Sequence, residues 1–424
     1  MDDDLDYNIN EPETLNLKSS KEKCSKKLII IINVIISLVI ITALVLIYFF
    51  VLKNSGDEKK ESKEKKYYYF LNVSTAVNGK IPNSFKENGS NYNDSIGNLN
   101  NGEDFEPNDR NNFDFCFTDY HLRRKNKTNI LYLQFHGGGW VAQNKENITI
   151  FCEINEAYNA MTATMSYTLL NNTYPQSSIY RIMDDATATL NGIKKILKAY
   201  DFNLDKIELG VHGSSAGGHL ALLYAYLIKN SPFPIKFIFD NMGLVSISPY
   251  DFLISKNVND SLNSIEPKSI KEANNTHIIT ILNGQCERCQ SQIILIQWMN
   301  LFLGRNLDED FDEMYDSEKH EIIYGSPKFN ELLSNVTYAF PSSHVTKDSP
   351  AVLCKYDGMD LGIGIAQYAK LKQAYIDKTI EDKIELVYFR YSNHGDGNDK
   401  DIPNSELWDK KRKEMIKKYF TQDD

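Results

Sequence analysis

The stretch IELGVHGSSAGGH, residues 207–219, contains the pattern that decides the fold. Its mostly apolar start predicts a buried strand over Ile207–Val211, and the apolar run after it predicts a helix over Ala216–Ile228. Between them lies Gly213-x-Ser215-x-Gly217. A serine on a sharp strand-to-helix turn needs small residues two positions before and after it, because neighbouring backbone comes very close. The pattern therefore predicts that Ser215 is a nucleophile at the end of a strand.

A second glycine-rich turn lies upstream, after another predicted strand. Strand Ile130–Phe135 is followed by the sequence HGGGW, residues 136–140. Consecutive glycines let backbone N–H groups point into a site with no side chain in the way, as stabilisation of an oxyanion requires. Either turn alone could be a phosphate-binding or flexible loop. Both in this order, each after a strand, favour acyl-transfer chemistry, in which such a turn accompanies G-x-S-x-G.

A serine hydroxyl needs a base to take its proton, and that base needs a carboxylate to orient it. For a serine on a strand–turn–helix, the expected chain order is serine, acid, histidine. His394 follows the last predicted strand, Ile384–Phe389, in a Gly-flanked loop, so we favour it as the base. For the acid, Asp357 and Asp360 both lie in the loop after the predicted strand Pro350–Lys355, and their positions alone do not separate them.

Strands alternate with helices from Phe113 onward. Further predicted strands are Phe113–Leu122, Ala163–Tyr167 and Ile235–Phe239, and further predicted helices are Ile182–Tyr200, Gln292–Leu303 and Ile365–Tyr375. This alternation predicts an α/β fold with a mostly parallel central sheet and helices on both faces. The alternation of strands and helices is interrupted between about residues 250 and 343, and we interpret this segment as a cap-like insertion.

The composition of the chain excludes several classes of protein. It has 424 residues, of which 42% are hydrophobic and 25% charged, with a net charge of -10. These values exclude wholly disordered, collagenous and disulfide-scaffold proteins. The acidic balance argues against nucleic acid as a partner, since phosphate contacts need cationic surface. A mean hydropathy of -0.41 excludes a polytopic membrane protein.

One apolar segment is nevertheless long enough to cross a membrane. Residues 28–52 carry no charge and lie between Lys27 and Lys53. A helix of this length spans a hydrocarbon core of roughly 30 Å, and it is longer than a signal-peptide core. We predict a single transmembrane helix, which makes the lipid bilayer a partner through residues 28–52.

The orientation in the membrane follows from what comes after this helix, since lysines flank both of its sides. The nine N-x-[ST] acceptors all follow it: Asn72, Asn88, Asn93, Asn126, Asn147, Asn171, Asn259, Asn274 and Asn335. Five of the six cysteines also follow it, so at least one of these is free or pairs with another chain. We predict a type II glycoprotein whose catalytic domain is lumenal or extracellular, in the endomembrane system or at the cell surface.

The predicted organisation has four parts. They are a cytoplasmic tail (1–27), the transmembrane helix (28–52), a stalk and low-complexity lead-in (53–112) with an edge strand at Tyr67–Val73, and a catalytic domain (113–424). Within the insertion, Cys286-Glu287-Arg288-Cys289 has no second cysteine pair nearby. This favours a local disulfide or two unpaired thiols over a zinc half-site.

Taken together, these motifs resemble the α/β-hydrolase superfamily, and more closely the HGG-type carboxylesterases around the hormone-sensitive-lipase and feruloyl/acetyl-esterase-like groups. The similar stretches fall between about Ile130 and His394, and the insertion matches poorly. They include LQFHGGGW, MSYTLL, HGSSAGGHLALL and DGMDLGIGIAQ. The resemblance implies an α/β-hydrolase fold with a cap-like insertion, a small-molecule ester substrate, and no metal or organic cofactor.

The resemblance also implies roles for individual residues. Matched by position, Asp360 is the acid, with Gln367 seven residues on, whereas Asp357 stands where the family often has glycine. The implied oxyanion donors are the backbone N–H groups of Gly138, Gly139 and Ala216. The implied enzyme is a carboxylesterase-type serine hydrolase that uses Ser215, His394 and Asp360 and forms an acyl-enzyme.

Two other functions are compatible with part of this pattern. A serine peptidase of the same superfamily shares G-x-S-x-G but usually lacks the HGGG turn. A non-catalytic surface protein on an esterase fold typically loses the nucleophile or the base, and both are present here. Within the esterases, a formamidase or a prenylcysteine methylesterase is also compatible with the motifs.

Overall fold

The computed structural model describes residues 67–75, 110, 112–170, 177–246, 287–306, 310–319, 321–360, 363–395 and 397–420. Several predictions fall outside these residues: the tail 1–27, the transmembrane helix 28–52, most of the lead-in, the start of the insertion, Cys286, and the acceptors Asn88, Asn93, Asn171, Asn259 and Asn274. Among the helices that the structure does describe, none is both long and apolar enough to cross a membrane.

The strands form one large sheet and one small hairpin. Their bounds are β1 Tyr67–Ser74, β2 Asn112–Thr118, β3 Asn129–Phe135, β4 Ala160–Ser166, β5 Ile207–Ser214, β6 Ile235–Asn241, β7 Tyr315–Asp316, β8 Glu321–Ile322, β9 Ala351–Asp357 and β10 Ile384–Phe389. The large sheet has the order β1-β2-β4-β3-β5-β6-β9-β10. The pairs β1–β2 and β2–β4 are antiparallel and the other five are parallel. The predicted mostly parallel sheet is confirmed.

Helices pack against both faces of this sheet. Their bounds are α1 Asp119–Arg123, α2 Ile148–Glu156, α3 Ile179–Ala199, α4 Ala216–Leu227, α5 Glu287–Phe302, α6 Phe311–Met314, α7 Pro327–Val336, α8 Ala366–Asp377 and α9 Ile402–Tyr419. Successive strand residues alternate between two apolar clusters: Leu131 and Ile238 lie in one, and Tyr132 and Phe239 in the other. The alternation follows from the two-residue period of a strand, and it gives a three-layer α/β domain.

The predicted strand Phe113–Leu122 is wrong in its second half. β2 ends at Thr118, and α1 begins at Asp119. The change of direction has a local cause, because the Thr118 N–H donates to Nδ1 of His121 at 3.0 Å. Such a side-chain contact caps the first turn of a helix in place of a continued strand ladder.

The structure adds an element at each end of the described domain. β1 pairs with β2, which confirms the predicted edge strand and makes it part of the large sheet. The sequence had assigned this strand to the lead-in, residues 53–112, and not to the catalytic domain. Helix α9 was not predicted at all. Its buried side chains, Trp408, Arg412, Met415 and Ile416, recur at helical spacing among charged residues, and they cover one face of the sheet.

A disulfide connects the sheet to a helix near its edge. Cys116 in β2 is bonded to Cys152 in α2, and both residues are buried. Cys354 in β9 is buried and is not part of this disulfide. The sequence predicted an odd thiol but not this pairing, since the two partners lie 36 residues apart.

A carboxyl group is fully buried at the end of β6. The Gly243 N–H donates to Oδ1 of Asp240 at 2.8 Å, and the Tyr356 hydroxyl lies 3.1 Å from Oδ2. Burial raises the pKa of Asp240 from 3.8 to about 7, because its effect is larger than the opposing effect of these hydrogen bonds. The folded protein therefore holds a proton on Asp240 at pH values at which the unfolded chain has released it.

We expect the Asp240→Asn variant to be more stable than the wild type at pH 8 and to lose this advantage at pH 4. A raised folded-state pKa contributes stability below the unfolded value, and that contribution is lost as the pH rises through about 7. Asparagine mimics the protonated acid without titrating, so the difference in Tm between variant and wild type should grow from pH 4 to pH 7. Thermal denaturation of the full chain across this range measures it, and a constant difference would contradict the protonated state.

Candidate active site

Ser215 lies on the sharp turn between β5 and α4. Its backbone has φ 58° and ψ -122°, a conformation that costs energy for any residue other than glycine. A β-carbon at Gly213 would lie 2.1 Å from the carbonyl oxygen of Gly217, and one at Gly217 would lie 2.2 Å from that of Phe135. Both glycines are therefore required by close backbone approach, as the sequence pattern predicted. The Ser215 N–H donates to the Asn241 carbonyl at 2.8 Å and holds the turn against β6.

The side chains of Ser215, His394 and Asp360 form a continuous hydrogen-bonded line. The Ser215 Oγ lies 3.0 Å from Nε2 of His394. Nδ1 of the same ring lies 2.6 Å from Oδ2 of Asp360. Because a carboxylate only accepts, Nδ1 carries the ring proton and Nε2 is left to accept from the serine. The histidine side chain is 42% exposed, whereas that of Asp360 is 2% exposed.

The two candidate acids occupy different places. The second carboxylate oxygen of Asp360 accepts from the Ile363 N–H at 2.9 Å, which fixes the carboxyl group behind the ring. Asp357 instead accepts the N–H of Gly395 at 2.8 Å and lies 3.5 Å from Nζ of Lys355. Burial raises the pKa of Asp357, while the Gly395 N–H and Lys355 lower it. Of the two, Asp360 is the one hydrogen-bonded to the imidazole.

Hydrogen bonds hold the two residues that come shortly before His394 in its loop. Oδ2 of Asp401 accepts the Tyr391 N–H and the Ser392 hydroxyl, each at 2.8 Å. The Met359 N–H donates to the Ser392 carbonyl at 3.0 Å, so the acid loop and the histidine loop are bonded to each other. Asp401 is 1% exposed. Sequence reasoning missed it, because nothing local distinguishes it from the other aspartates around it.

The HGGG turn follows β3 and reaches the serine. Gly138 and Gly139 have φ values of +91° and +59°, in the region that favours glycine. The Gly138 carbonyl accepts from the Ala142 N–H at 3.0 Å, and a β-carbon at Gly137 would lie 3.8 Å from that of Ser215. Within the described part of the chain, no hydrogen bond uses the N–H of Gly138 or Gly139. Ala216 is the first residue of α4, so its N–H has no acceptor within the helix.

Gln367 has a structural role that the sequence match did not specify. Its Oε1 accepts the N–H groups of Val245 and Ser246 at 2.8 and 3.0 Å, and its Nε2 donates to the Ser246 carbonyl. This buried amide therefore fixes the backbone that leaves β6 just before the insertion begins.

Comparison with known families agrees with this architecture. A family model described as BD-FAE matches residues 119–292, which include the HGGG turn and the serine turn. The resemblance to esterase-like α/β-hydrolases is confirmed. The match supports an esterase-type enzyme. No curated protein matches the chain significantly.

Three solved structures illustrate the similarity. An esterase B from Lactobacillus rhamnosis is 12% identical, with 88% of this chain and 95% of that chain covered and a TM-score of 0.46. An acetyl ester-xyloside bifunctional hydrolase from Caldicellulosiruptor lactoaceticus is 15% identical, with coverages of 69% and 84% and a TM-score of 0.42. A carboxylesterase from Lactobacillus plantarum is 12% identical, with coverages of 70% and 89% and a TM-score of 0.42. Similarity this weak assigns no residue or substrate in this chain.

Proposed function

We propose that this enzyme hydrolyses carboxylic esters through a covalent acyl-enzyme on Ser215. The observation that carries the proposal is the line Ser215–His394–Asp360, with contacts of 3.0 and 2.6 Å, on a strained turn. A hydroxyl, an imidazole and a carboxylate connected in this order are the components of an activated serine nucleophile.

The first half of the reaction forms the acyl-enzyme. His394 takes the proton of the Ser215 hydroxyl at Nε2 while Oγ attacks the ester carbonyl carbon. Asp360 accepts the hydrogen bond of Nδ1 and stabilises the charged ring that results. The carbonyl oxygen becomes an oxyanion, and we assign the N–H groups of Gly138, Gly139 and Ala216 as its hydrogen-bond donors. The imidazolium then gives its proton to the departing alcohol as the tetrahedral carbon collapses.

The second half repeats these steps with water. His394 takes a proton from a water molecule, whose oxygen attacks the acyl carbon, and then returns that proton to Oγ as the acid leaves. The start of α4 adds to the stabilisation of both oxyanions, because the N-terminal end of a helix favours negative charge. This electrostatic contribution depends on backbone groups alone and needs no further titrating residue.

Substrate comparison distinguishes the ester hydrolase from a peptidase. We expect the purified full chain to hydrolyse p-nitrophenyl acetate with saturable kinetics and to leave alanine p-nitroanilide intact. The HGGG turn favours this result, since it accompanies G-x-S-x-G in esterases and lipases. Cleavage of the anilide at a comparable rate would favour the peptidase, and a folded chain inert toward both would contradict the proposal.

We also propose that residues 28–52 anchor the enzyme in a membrane, with the catalytic domain on the lumenal or extracellular side. The Cys116–Cys152 disulfide supports this side, because disulfides persist in oxidising compartments and are rare in the cytosol. The four acceptors that the structure describes, Asn72, Asn126, Asn147 and Asn335, are all exposed, so an attached glycan would meet no packed core.

Endoglycosidase treatment of the protein made in its native cells tests this orientation. We expect treatment to lower the apparent mass of the full chain, and we expect Asn126→Gln and Asn335→Gln each to lower the untreated mass by one glycan. The Asn330→Gln variant is a suitable control, because Asn330 is exposed on the same helix as Asn335 and is not followed by the acceptor pattern. An unshifted band for the wild type would place the domain in the cytosol.

A further inference from the structure

Arg110 is a buried arginine, far from Ser215 in sequence, that contacts residues on either side of the three glycines of the HGGG turn. Arg110 Nε donates to the Tyr167 carbonyl at 2.7 Å, and Nη2 donates to the Gln143 carbonyl at 2.8 Å. Nη2 also lies 3.0 Å from Nε2 of His136, the first residue of the turn. One guanidinium therefore connects the residue before the glycines to the segment after them.

The arginine fixes which nitrogen of His136 carries the proton. Burial, with a smaller contribution from the Arg110 charge, lowers the pKa of His136 to about 4 although the hydrogen bond to Gly137 opposes this shift, so the ring is neutral at physiological pH. A guanidinium only donates, so Nε2 accepts and the single ring proton lies on Nδ1. Nδ1 lies 2.9 Å from the Gly137 carbonyl, to which it donates.

Tyr167 supplies a second donor to the same carbonyl. Its ring stacks on His136 with centroids 3.9 Å apart, and its hydroxyl lies 2.9 Å from the Gly137 oxygen and 3.0 Å from the His136 oxygen. Burial raises the pKa of Tyr167, so the phenol keeps its proton. The Gly137 carbonyl thus accepts from the His136 ring and shares the single Tyr167 hydroxyl proton with the His136 carbonyl.

The other end of this peptide unit is the N–H of Gly138. A carbonyl that accepts two hydrogen bonds is polarised, and polarisation of a peptide makes its N–H a stronger donor. The same two contacts also oppose a flip of the peptide, which glycine at φ +91° would otherwise permit. Both effects act on a group that the proposed reaction uses only once negative charge has developed on the substrate oxygen.

We propose that Arg110, His136 and Tyr167 are positioning residues that orient and polarise the Gly137–Gly138 peptide, so that the Gly138 N–H binds the oxyanion more strongly than an unsupported amide would. This inference rests on the proposed ester hydrolysis and adds to it a second layer of residues behind the oxyanion turn. None of the three side chains needs to touch the substrate.

The test compares Tyr167→Phe and Arg110→Lys with a matched control in the full-length protein. Tyr167→Phe removes one donor and keeps the ring on His136. The control is Tyr226→Phe, which also removes a buried hydroxyl but from the far end of α4, where its partner is Tyr375 at 2.9 Å. The assays are kcat and KM for p-nitrophenyl acetate and Ki for a trifluoromethyl ketone, whose serine adduct carries an oxyanion.

We expect Tyr167→Phe to lower kcat by roughly three- to tenfold, which is the effect of one lost hydrogen bond. The Ki for the trifluoromethyl ketone should rise by a similar factor, and KM should change little. Arg110→Lys should shift both quantities in the same direction, and Tyr226→Phe should shift neither. A purely structural role would lower Tm without moving kcat and the ketone Ki together.

Equal kinetic effects of Tyr167→Phe and Tyr226→Phe would overturn the inference. If Tyr167→Phe does not fold, Arg110→Lys becomes the test. A folded Arg110→Lys variant with the wild-type kcat and the wild-type Ki for the ketone would overturn the inference. A folded wild type that hydrolyses no ester refutes the proposed function itself, which distinguishes that failure from a failure of the positioning network.

Discussion

The Ser215→Ala variant is expected to lose ester hydrolysis almost completely, with kcat lower by about 10⁵- to 10⁶-fold, as for other serine nucleophiles. Without the Ser215 hydroxyl the proposed acyl-enzyme cannot form, so only the proposed oxyanion donors and substrate binding would still assist attack by water. The fold should not change, because alanine removes a single oxygen from a half-buried position. Steady-state hydrolysis of p-nitrophenyl acetate, together with a thermal denaturation curve, measures both expectations.

Ser214→Ala is the matched control for this experiment. It makes the same chemical change one residue earlier, at the last position of β5, and Ser214 is not part of the hydrogen-bonded line of Ser215, His394 and Asp360. We expect it to retain most of the wild-type kcat. Comparable losses in the two variants would show that the turn itself is damaged, and retained activity in Ser215→Ala would rule out Ser215 as the nucleophile.

Asp360→Asn should lower kcat by about 10³- to 10⁴-fold, with little change in KM. The carboxylate accepts from Nδ1 at 2.6 Å and so leaves Nε2 able to take the serine proton. An asparagine can present an N–H to Nδ1, which would move the ring proton to Nε2 and abolish its function as a base. Kinetics with p-nitrophenyl acetate provide the measurement.

Asp357→Asn makes the same substitution three residues earlier, at the end of β9, and serves as the control. Its side-chain oxygen can still accept from the Gly395 N–H, which Asp357 accepts at 2.8 Å, so the histidine loop should keep its conformation. We expect a loss of no more than about tenfold, the scale of one weakened hydrogen bond. If Asp357→Asn were the more damaging of the two, the assignment of the acid would have to be reversed.

The serine and glycine turns could be predicted because their requirements are local. Gly213 and Gly217 each lie two positions from Ser215, and a side chain at Gly213 would meet Gly217 in the same turn, whereas one at Gly217 would meet Phe135 of β3. The HGGG turn needs positive φ at successive positions, which glycine adopts readily. Such demands leave a pattern that a single sequence displays.

The choice between Asp357 and Asp360 needed information that the residue positions do not contain. Asp357 is the last residue of β9 and Asp360 lies three residues further on, and only the family match favoured Asp360. In the structure, the segments that carry the acid and the histidine are joined by hydrogen bonds such as Gly358 N–H to the Phe389 carbonyl at 2.7 Å, and the imidazole is bonded to Asp360. Those contacts join segments about thirty residues apart, beyond the range of any local rule.

The residues that the sequence did not reveal support the site over still longer separations. Arg110 contacts His136, Gln143 and Tyr167 across 26, 33 and 57 residues, and it lies beside an Asn-rich stretch with no apolar period. Helix α9 was missed for a different reason. It has few apolar residues, and one of its buried positions is occupied by a charged residue. Arg412 packs against Phe239, with its guanidinium carbon 5.0 Å from the ring centroid.

The most direct test of the central claim is to identify the residue that a fluorophosphonate modifies. Treatment of the full chain should add one probe, and peptide mass spectrometry should place it on Ser215, because only a serine activated by an imidazole attacks phosphorus at a useful rate. The adduct should be absent from Ser215→Ala and present in Ser214→Ala. A well-folded wild type that takes up no probe, or an adduct on another residue, would contradict the account.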